Sequence, residues 1–202
     1  MALKRALLIV DVQHDFCPGG ALPAQDGDDV VPVLNEYIDD FKRADHPIFA
    51  SRDWHPEGSA HFQDRGGPWP PHCIQGTSGA EFHRDLNLPD SAVIITKGDD
   101  PEEDEGYSAF EGKTPDGKTL LDSLKDAGIE EIYIGGLATD YCVRASALDA
   151  VKAGLRTHLL LDAIRGVDVN PGDSERAIEE LKRDGVHVAT RAQVAAQHAE
   201  TN

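Results

Sequence analysis

The chain has 202 residues, and its 37 acidic side chains outnumber its 19 basic ones, which gives a formal net charge of -18 at pH 7. A surface this acidic repels nucleic acids and anionic membranes, so neither is an expected partner. The length is sufficient for one α/β domain with a substantial core, and we assign residues 1–202 to a single domain.

The N-terminal segment MALKRALLIVDVQ places two positive charges before a short apolar run. This run ends at Asp11 and no cleavage site of small residues follows, so it predicts a strand rather than a secretory signal. Three cysteines, an odd number without regular spacing, favour a reducing compartment, and no apolar stretch is long enough to cross a bilayer. We therefore expect the protein to be cytoplasmic.

Strand and helix signals alternate along the whole chain. Short apolar runs, typical of strands in parallel sheets, predict strands at 6–10, 48–51, 92–96, 132–134, 156–161 and 186–189. Apolar residues at helical spacing predict helices at 30–44, 120–127, 140–153 and 174–184. The alternation indicates the α/β class, as a three-layer α/β/α sandwich around a central, mostly parallel six-stranded sheet.

Two irregular stretches interrupt this alternation. Residues 52–90 are rich in Gly, Pro and His, and an unstructured loop of that length inside a compact domain is usually functional. The acidic run at 99–105 contributes strongly to the negative charge, and we expect it to be a solvated loop.

Candidate functional side chains stand at the predicted strand ends. They are Asp11 after the first strand, Asp53 and His55 after the second, Lys97 after the third, and Cys142 at the start of the helix after the fourth. Ligands of open parallel sheets bind beyond the carboxyl ends of the strands, so these side chains should converge. Each of them alone has a structural explanation, such as a turn cap, a surface lysine or a core cysteine. Together, an acid, a base and a thiol at one sheet edge favour catalysis.

Cys142 has the features of a nucleophile. The positive end of a helix dipole and unsatisfied backbone N–H groups at a helix start should lower its pKa and favour the thiolate. A nearby carboxylate can take up the thiol proton and return it to a leaving group, while a lysine stabilises the developing negative charge. Backbone N–H groups at Ala138 and Cys142 could then stabilise an oxyanion. This chemistry is acyl transfer from an amide through a thioester.

The long loop contains a second cluster, in the segments SRDWHPEGSAHF and WPPHC. Asp53 and His55 lie on the same side of an extended chain, and His61 and His72 can complete a metal site. The alternative is that histidines are simply common polar loop residues. Imidazole and carboxylate ligands suit zinc, iron or manganese without choosing among them. Cys73, beside His72, is a less favoured ligand.

Six collinear segments carry a family resemblance: LLIVDVQHDFCPGGAL, SRDWHPEGSAHF, WPPHCIQGTSGAEFH, ITKG, YSAFEG and GGLATDYCVRASALDA. They resemble the nicotinamidase/pyrazinamidase group of the isochorismatase-like cysteine hydrolases over nearly the whole chain. The resemblance implies hydrolysis of nicotinamide to nicotinate and ammonia, a reaction of NAD salvage, with pyrazinamide as a further substrate. It also implies that nicotinamide, a small molecule, is the ligand; a monomer and a homo-oligomer remain open.

The resemblance also implies roles for individual residues. Cys142 corresponds to the nucleophile, Asp11 to the general acid/base and Lys97 to the third member of the triad. The corresponding metal ligands are Asp53, His55 and His72, with His61 ligating only in some members. In the family the metal binds the pyridine nitrogen and orients the carboxamide toward the cysteine. The positions that correspond to substrate-pocket residues are Phe16, Leu22, Trp69, Tyr107, Leu137 and Tyr141.

The family carries a cis peptide bond before the alanine of GLATDYC, here Leu137-Ala138. Two features depart from the family pattern: Tyr141 replaces the histidine of some relatives, and the acidic insertion after Gly98 lengthens a loop beside Lys97. The alternatives are a related hydrolase acting on isochorismate or on a carbamoyl or ureido compound, and a non-catalytic binding protein of the same fold. A redox module lacks its Cys-x-x-Cys, and a dinucleotide-binding role lacks its glycine fingerprint.

Overall fold

The computed structural model describes residues 3–100 and 106–199, so most of the predicted acidic loop lies outside the described residues. Within those ranges a six-stranded sheet has the order β3-β2-β1-β4-β5-β6, and every neighbouring pair is parallel. Its strands are β1 Arg5–Val10, β2 Ile48–Asp53, β3 Val93–Lys97, β4 Glu131–Leu137, β5 Arg156–Arg165 and β6 His187–Ala189. The predicted α/β class and its six-stranded parallel sheet are confirmed.

Helices cover both faces of the sheet. They are α1 Val30–Arg43, α2 Leu120–Asp126, α3 Arg144–Lys152, α4 Asp173–Arg183 and α5 Arg191–Ala199. Alternate residues of β1 separate two apolar layers, because Leu7 packs in one with α1 and α5 while Leu8 packs in the other with α2, α3 and α4. This confirms the three-layer sandwich. None of the described helices has the length and apolar character that crossing a membrane requires.

The predicted helix at 140–153 is wrong at its start. Residues Thr139–Val143 form a π-helical turn, in which the Val143 N–H donates to the Ala138 carbonyl five residues earlier at 3.1 Å. Only from Arg144 onward does the chain form the α-helix. Apolar spacing over a single turn cannot distinguish the two hydrogen-bonding patterns, so the sequence predicts one continuous helix.

The strand order places the candidate residues at one edge. β1 lies between β2 and β4, so the direction in which successive strands are added reverses at the β1–β4 pair. Asp11 follows β1 directly, Asp53 ends β2, Lys97 ends β3, and the turn with Cys142 follows β4. Ligand sites of such sheets form where the strand order reverses, so the topology delivers these side chains to a crevice.

Gly136 provides a test of how closely β1 and β4 approach. It has a φ of 123° and pairs with Val10, and a Cβ atom there would lie 2.1 Å from the Val10 carbonyl oxygen. Gly185 also has a positive φ, of 95°, but a Cβ atom there meets nothing within 4 Å. We expect Gly185→Ala to cost about 1 kcal/mol of unfolding free energy from backbone strain alone.

We expect Gly136→Ala to cost about 3 kcal/mol more than the control, because main-chain atoms must also move apart. Urea unfolding of both variants checks this difference. An equal loss of stability in the two variants would contradict the close approach.

Candidate active site

Lys97 lies at the centre of the cluster at the sheet edge. Its side chain is almost fully buried, and its Nζ lies 2.9 Å from Asp11 Oδ2 and in direct contact with Asp53 Oδ1. The same ammonium donates to the Gly106 carbonyl at 2.7 Å and lies 3.7 Å from the Cys142 sulfur. The structure therefore brings together the three predicted catalytic residues, and it adds Asp53 as a second anion beside the lysine.

Asp11 leaves β1 in a left-handed conformation, with a φ of 48°, and is fully buried. Its Oδ1 accepts a hydrogen bond from the Ser51 hydroxyl at 2.7 Å. Burial raises the pKa of this carboxyl, and the Lys97 cation opposes that rise. The sequence does not single out Ser51, although a polar residue at the end of a buried strand is the signal that could have found it.

Cys142 is nearly buried, with 6% of its surface exposed. Its sulfur and oxygen atoms of Asp11 and Asp53 all lie within 4.8 Å of one another. Burial raises the pKa of the thiol well above its ordinary value, while Lys97 acts to lower it. The expectation of a lowered pKa at a helix start is therefore wrong for the chain alone, because desolvation of the thiolate and two nearby carboxylates outweigh the Lys97 cation.

Asp53 faces the long loop as well as Lys97. Its Oδ2 lies 3.6 Å from His55 Nε2 and 4.0 Å from His72 Nε2. Ring nitrogens of His55, His61 and His72 lie within 4.8 Å of one another, and all three side chains are buried. Although burial tends to raise the pKa of Asp53, Lys97 and the neighbouring histidines hold it well below its usual range. The four predicted metal ligands are thus brought together.

Hydrogen bonds at the other ring nitrogens orient this cluster. His55 Nδ1 lies 3.1 Å from the Gly98 carbonyl oxygen and His72 Nδ1 lies 2.7 Å from that of Pro70, so both nitrogens carry the proton. In each neutral ring Nε2 is then the nitrogen with the free lone pair, and it lies on the same side as Asp53 Oδ2. Gly98 permits this contact, since a Cβ atom there would lie 2.5 Å from the His55 ring.

The donor set fits a divalent metal ion. Within the described part of the chain, His55 Nε2 is buried without a hydrogen-bond partner, which is costly unless the atom binds something else. Burial lowers the pKa of His72 to about 4, so this imidazole is neutral near pH 7, the state in which it ligates metals. Three imidazoles and one carboxylate are ligands suited to zinc, iron or manganese.

A small cavity lies between the histidine cluster and the Cys142 sulfur. Its lining comprises Phe16, Leu22, Asp53, His61, Trp69, His72, Tyr107, Ala138, Tyr141, Cys142 and Val167. Five of the six predicted pocket residues border it, whereas Leu137 packs in the core on the α1 face of the sheet. The Trp69 indole N–H donates to the Tyr107 hydroxyl at 2.8 Å, which joins two aromatic walls. Sequence reasoning missed Val167, because nothing in its loop pattern marks it.

The peptide bond between Leu137 and Ala138 is cis, as the family resemblance implies. Ala138 is extended, with a φ of -96° and a ψ of 148°, and leads directly into the turn that carries Cys142. Ala138 and Cys142, whose N–H groups are the predicted oxyanion donors, both border the cavity.

The other two cysteines lie outside this arrangement. Cys17 is buried in the core and burial raises the pKa of its thiol to about 11. Cys73 is also buried in the core, next to His72, and its N–H donates to Asp15 at 2.7 Å. Neither thiol borders the cavity, so Cys142 is the thiol that a ligand in the cavity would meet.

The chain is similar in sequence and structure to proteins that are already known. A family model described as the isochorismatase domain matches residues 5–193. The nicotinamidase of Escherichia coli is 39% identical over 204 residues, covering 93% of this chain and 95% of that protein. The nicotinamidase/pyrazinamidase of Mycobacterium tuberculosis is 38% identical over 188 residues, covering 91% and 97%. The crystal structure of the Pyrococcus horikoshii pyrazinamidase in complex with zinc superposes with a TM-score of 0.86 at 49% identity, covering 93% of this chain and 99% of that one.

The burial of Cys142 beside Lys97 predicts how its alkylation depends on pH and on the lysine. Because burial raises the thiol pKa well above its ordinary value, the rate of alkylation by iodoacetamide should still be rising in the alkaline range, between about pH 8 and pH 10. Replacing the cation in Lys97→Met should raise the thiol pKa further. Less thiolate is then present at pH 8, and alkylation should slow about tenfold.

Mass spectrometry of the Cys142 peptide measures this rate, and Lys125→Met, on the exposed face of α2, serves as the control. Faster alkylation in Lys97→Met than in the wild type would contradict the assigned electrostatics.

Proposed function

The chain belongs to the isochorismatase domain family, as its resemblance to nicotinamidases indicated, and from that membership we propose that it hydrolyses nicotinamide to nicotinate and ammonia. The observation that carries the proposal is that one cavity is bordered by Cys142 and by two of the clustered histidines, His61 and His72. A flat aromatic amide bound there would reach the sulfur and the histidine cluster at the same time. Pyrazinamide is a second expected substrate because, like nicotinamide, it has a ring nitrogen meta to the ring carbon that bears the carboxamide.

The protonation states of Lys97, Cys142 and Asp11 define the first half of the reaction. Lys97 stays protonated because Asp11 and Asp53 raise its pKa, even though burial acts to lower it. The Cys142 thiol transfers its proton to Asp11 as the sulfur attacks the carboxamide carbon, so no free thiolate accumulates. The N–H groups of Ala138 and Cys142 stabilise the oxyanion, and Asp11 gives the proton to the departing nitrogen, which leaves as ammonia.

The second half of the reaction returns the enzyme to its starting state. Asp11, again ionised, takes a proton from a water molecule, whose oxygen attacks the thioester carbon. The C–S bond then breaks, the proton held by Asp11 returns to the Cys142 sulfur, and the nicotinic acid formed gives its carboxyl proton to solvent and leaves as nicotinate. Throughout, Lys97 holds the Asp11 carboxylate in place and keeps a positive charge beside the sulfur.

Asp53, His55, His61 and His72 would hold a divalent metal ion in this proposal. When bound, a zinc, iron or manganese ion supplies a Lewis-acidic position for the lone pair of the ring nitrogen. The aromatic walls formed by Phe16, Trp69 and Tyr141 restrict the plane of the ring, and so direct the carboxamide toward Cys142. The histidine set favours a pyridine or pyrazine amide over isochorismate or a ureido compound, and the complete triad favours an enzyme over a binding protein.

The remaining expectations about the protein's setting are part of the same proposal. We expect a cytoplasmic enzyme of one domain that takes a small-molecule substrate and binds neither nucleic acid nor membrane. Both a monomer and a homo-oligomer are compatible with a cavity built from one chain.

Ammonia release tests the proposed reaction. Wild-type protein should release ammonia and nicotinate in equal amounts from nicotinamide, and Cys142→Ala should lower the rate at least about 10³-fold, because the nucleophile is lost. Cys17→Ala, which removes a buried thiol outside the cavity, should keep most of the activity. Equal rates in wild type and Cys142→Ala, or no reaction in either, would refute the assignment.

Metal removal tests the histidine cluster separately. Dialysis against a strong chelator should lower kcat/KM for nicotinamide, and adding zinc, iron or manganese should restore it, because the ring nitrogen loses its binding partner. Circular dichroism before and after chelation checks that the fold persists. Full activity in protein whose metal content has been shown to be zero would remove the metal from the proposal.

A further inference from the structure

Gln13 is a buried residue that neither the motifs nor the proposed reaction assign. It lies two residues beyond Asp11 and has no exposed surface. Its side-chain oxygen accepts from the Asp53 N–H at 2.8 Å, and its side-chain nitrogen donates to the carbonyls of Asp53 at 2.7 Å and Ala80 at 2.8 Å. The orientation of the amide is fixed, because only the oxygen can accept from a backbone N–H.

These contacts take the place of a missing strand neighbour. The parallel pairing of β1 with β2 ends at Val10 and Ser51, and the Asp11 N–H donates to the Ser51 carbonyl as the last rung. Asp53 lies beyond that point, so its backbone N–H and carbonyl on the β1 side would lack partners. The side chain of Gln13 supplies both a donor and an acceptor, much as a further residue of β1 would.

A small displacement of Asp53 would change its contacts with Lys97 and with the histidine cluster together. Its Oδ1 contacts the Lys97 ammonium, and its Oδ2 faces the Nε2 atoms of His55 and His72. A carboxylate that serves two groups at once must be held in both position and rotation. The third hydrogen bond of Gln13, to Ala80, also ties down the loop that carries His72.

We propose that Gln13 is a positioning residue that fixes the backbone of Asp53, so that one carboxylate serves both Lys97 and the metal ion. The inference rests on the metal site of the proposed function. Residues that orient a metal ligand by hydrogen bonding commonly change metal affinity about 10- to 100-fold when they are lost.

Asn35 offers a matched comparison for a purely structural amide. Its side chain donates to the Asp85 carbonyl and accepts from the Asn87 N–H, both at 2.8 Å, which fastens a loop to α1 outside the site. Loss of either amide should lower stability, but only loss of Gln13 should change the metal site.

The experiment compares the wild type with Gln13→Met, Gln13→Glu and Asn35→Leu. Zinc affinity is measured on metal-stripped protein by competition with a chromogenic chelator, and thermal unfolding is measured without metal. Gln13→Met should bind zinc about 10- to 100-fold more weakly and show a lower kcat/KM for nicotinamide. Asn35→Leu should unfold earlier yet bind zinc like the wild type.

Gln13→Glu, which keeps the length and the acceptor but loses at least one donor hydrogen, should bind zinc with intermediate affinity. It also decides the question if Gln13→Met does not fold. Wild-type zinc affinity in the folded Gln13 variants, or an equal loss in Asn35→Leu, would overturn the inference. If wild type binds zinc without hydrolysing nicotinamide, the proposed function fails while zinc affinity still decides the role of Gln13. If wild type binds no zinc yet hydrolyses nicotinamide, the inference about Gln13 fails while the proposed reaction stands.

Discussion

The pairing of the buried Lys97 ammonium with two carboxylates is the interaction that fixes the charge of the whole site. An isolated cation away from water is strongly unfavourable, so it must be paired, and Asp11 and Asp53 provide two carboxylates in direct contact with it. With the thiol neutral, these three charges sum to one negative charge. Besides burial, that surplus is one reason why the pKa values of Asp11 and of the Cys142 thiol are raised.

The same charge balance connects the two halves of the site. Asp53 gives one oxygen to Lys97 and turns the other toward the histidines, so the sheet edge and the long loop share a single carboxylate. A divalent cation held by the histidines would offset the surplus negative charge. In the proposed reaction, activation of the nucleophile and binding of the ring would therefore be coupled through Asp53, and the parallel sheet supplies the strand ends that keep the shared groups in register.

Much of this arrangement was predictable, because parallel strands end at a common edge. Polar residues at the predicted strand ends pointed to Asp11, Asp53 and Lys97, a thiol at a helix start pointed to Cys142, and loop histidines near Asp53 pointed to the candidate metal ligands. Ser51 is marked only as a polar residue at the end of a buried strand and Gln13 by no such signal, since the importance of both lies in contacts across strands whose order the sequence does not reveal. The π-helical turn and α5 were also missed. The π-helical turn is too short to show a hydrophobic period that differs from that of an α-helix. In α5 the alanine-rich sequence hides the period, because Val194 is the large apolar residue among small ones.

Trapping of the acyl-enzyme tests whether the Cys142 sulfur attacks the amide. The wild-type protein is mixed with excess nicotinamide, quenched in acid within the first turnovers and analysed by mass spectrometry, intact and after digestion. We expect a mass increase of one nicotinoyl group on the peptide that contains Cys142, and no such increase in Cys142→Ala. Turnover of nicotinamide that continues in Cys142→Ala, or an acyl group found on another residue, would show that Cys142 is not the nucleophile.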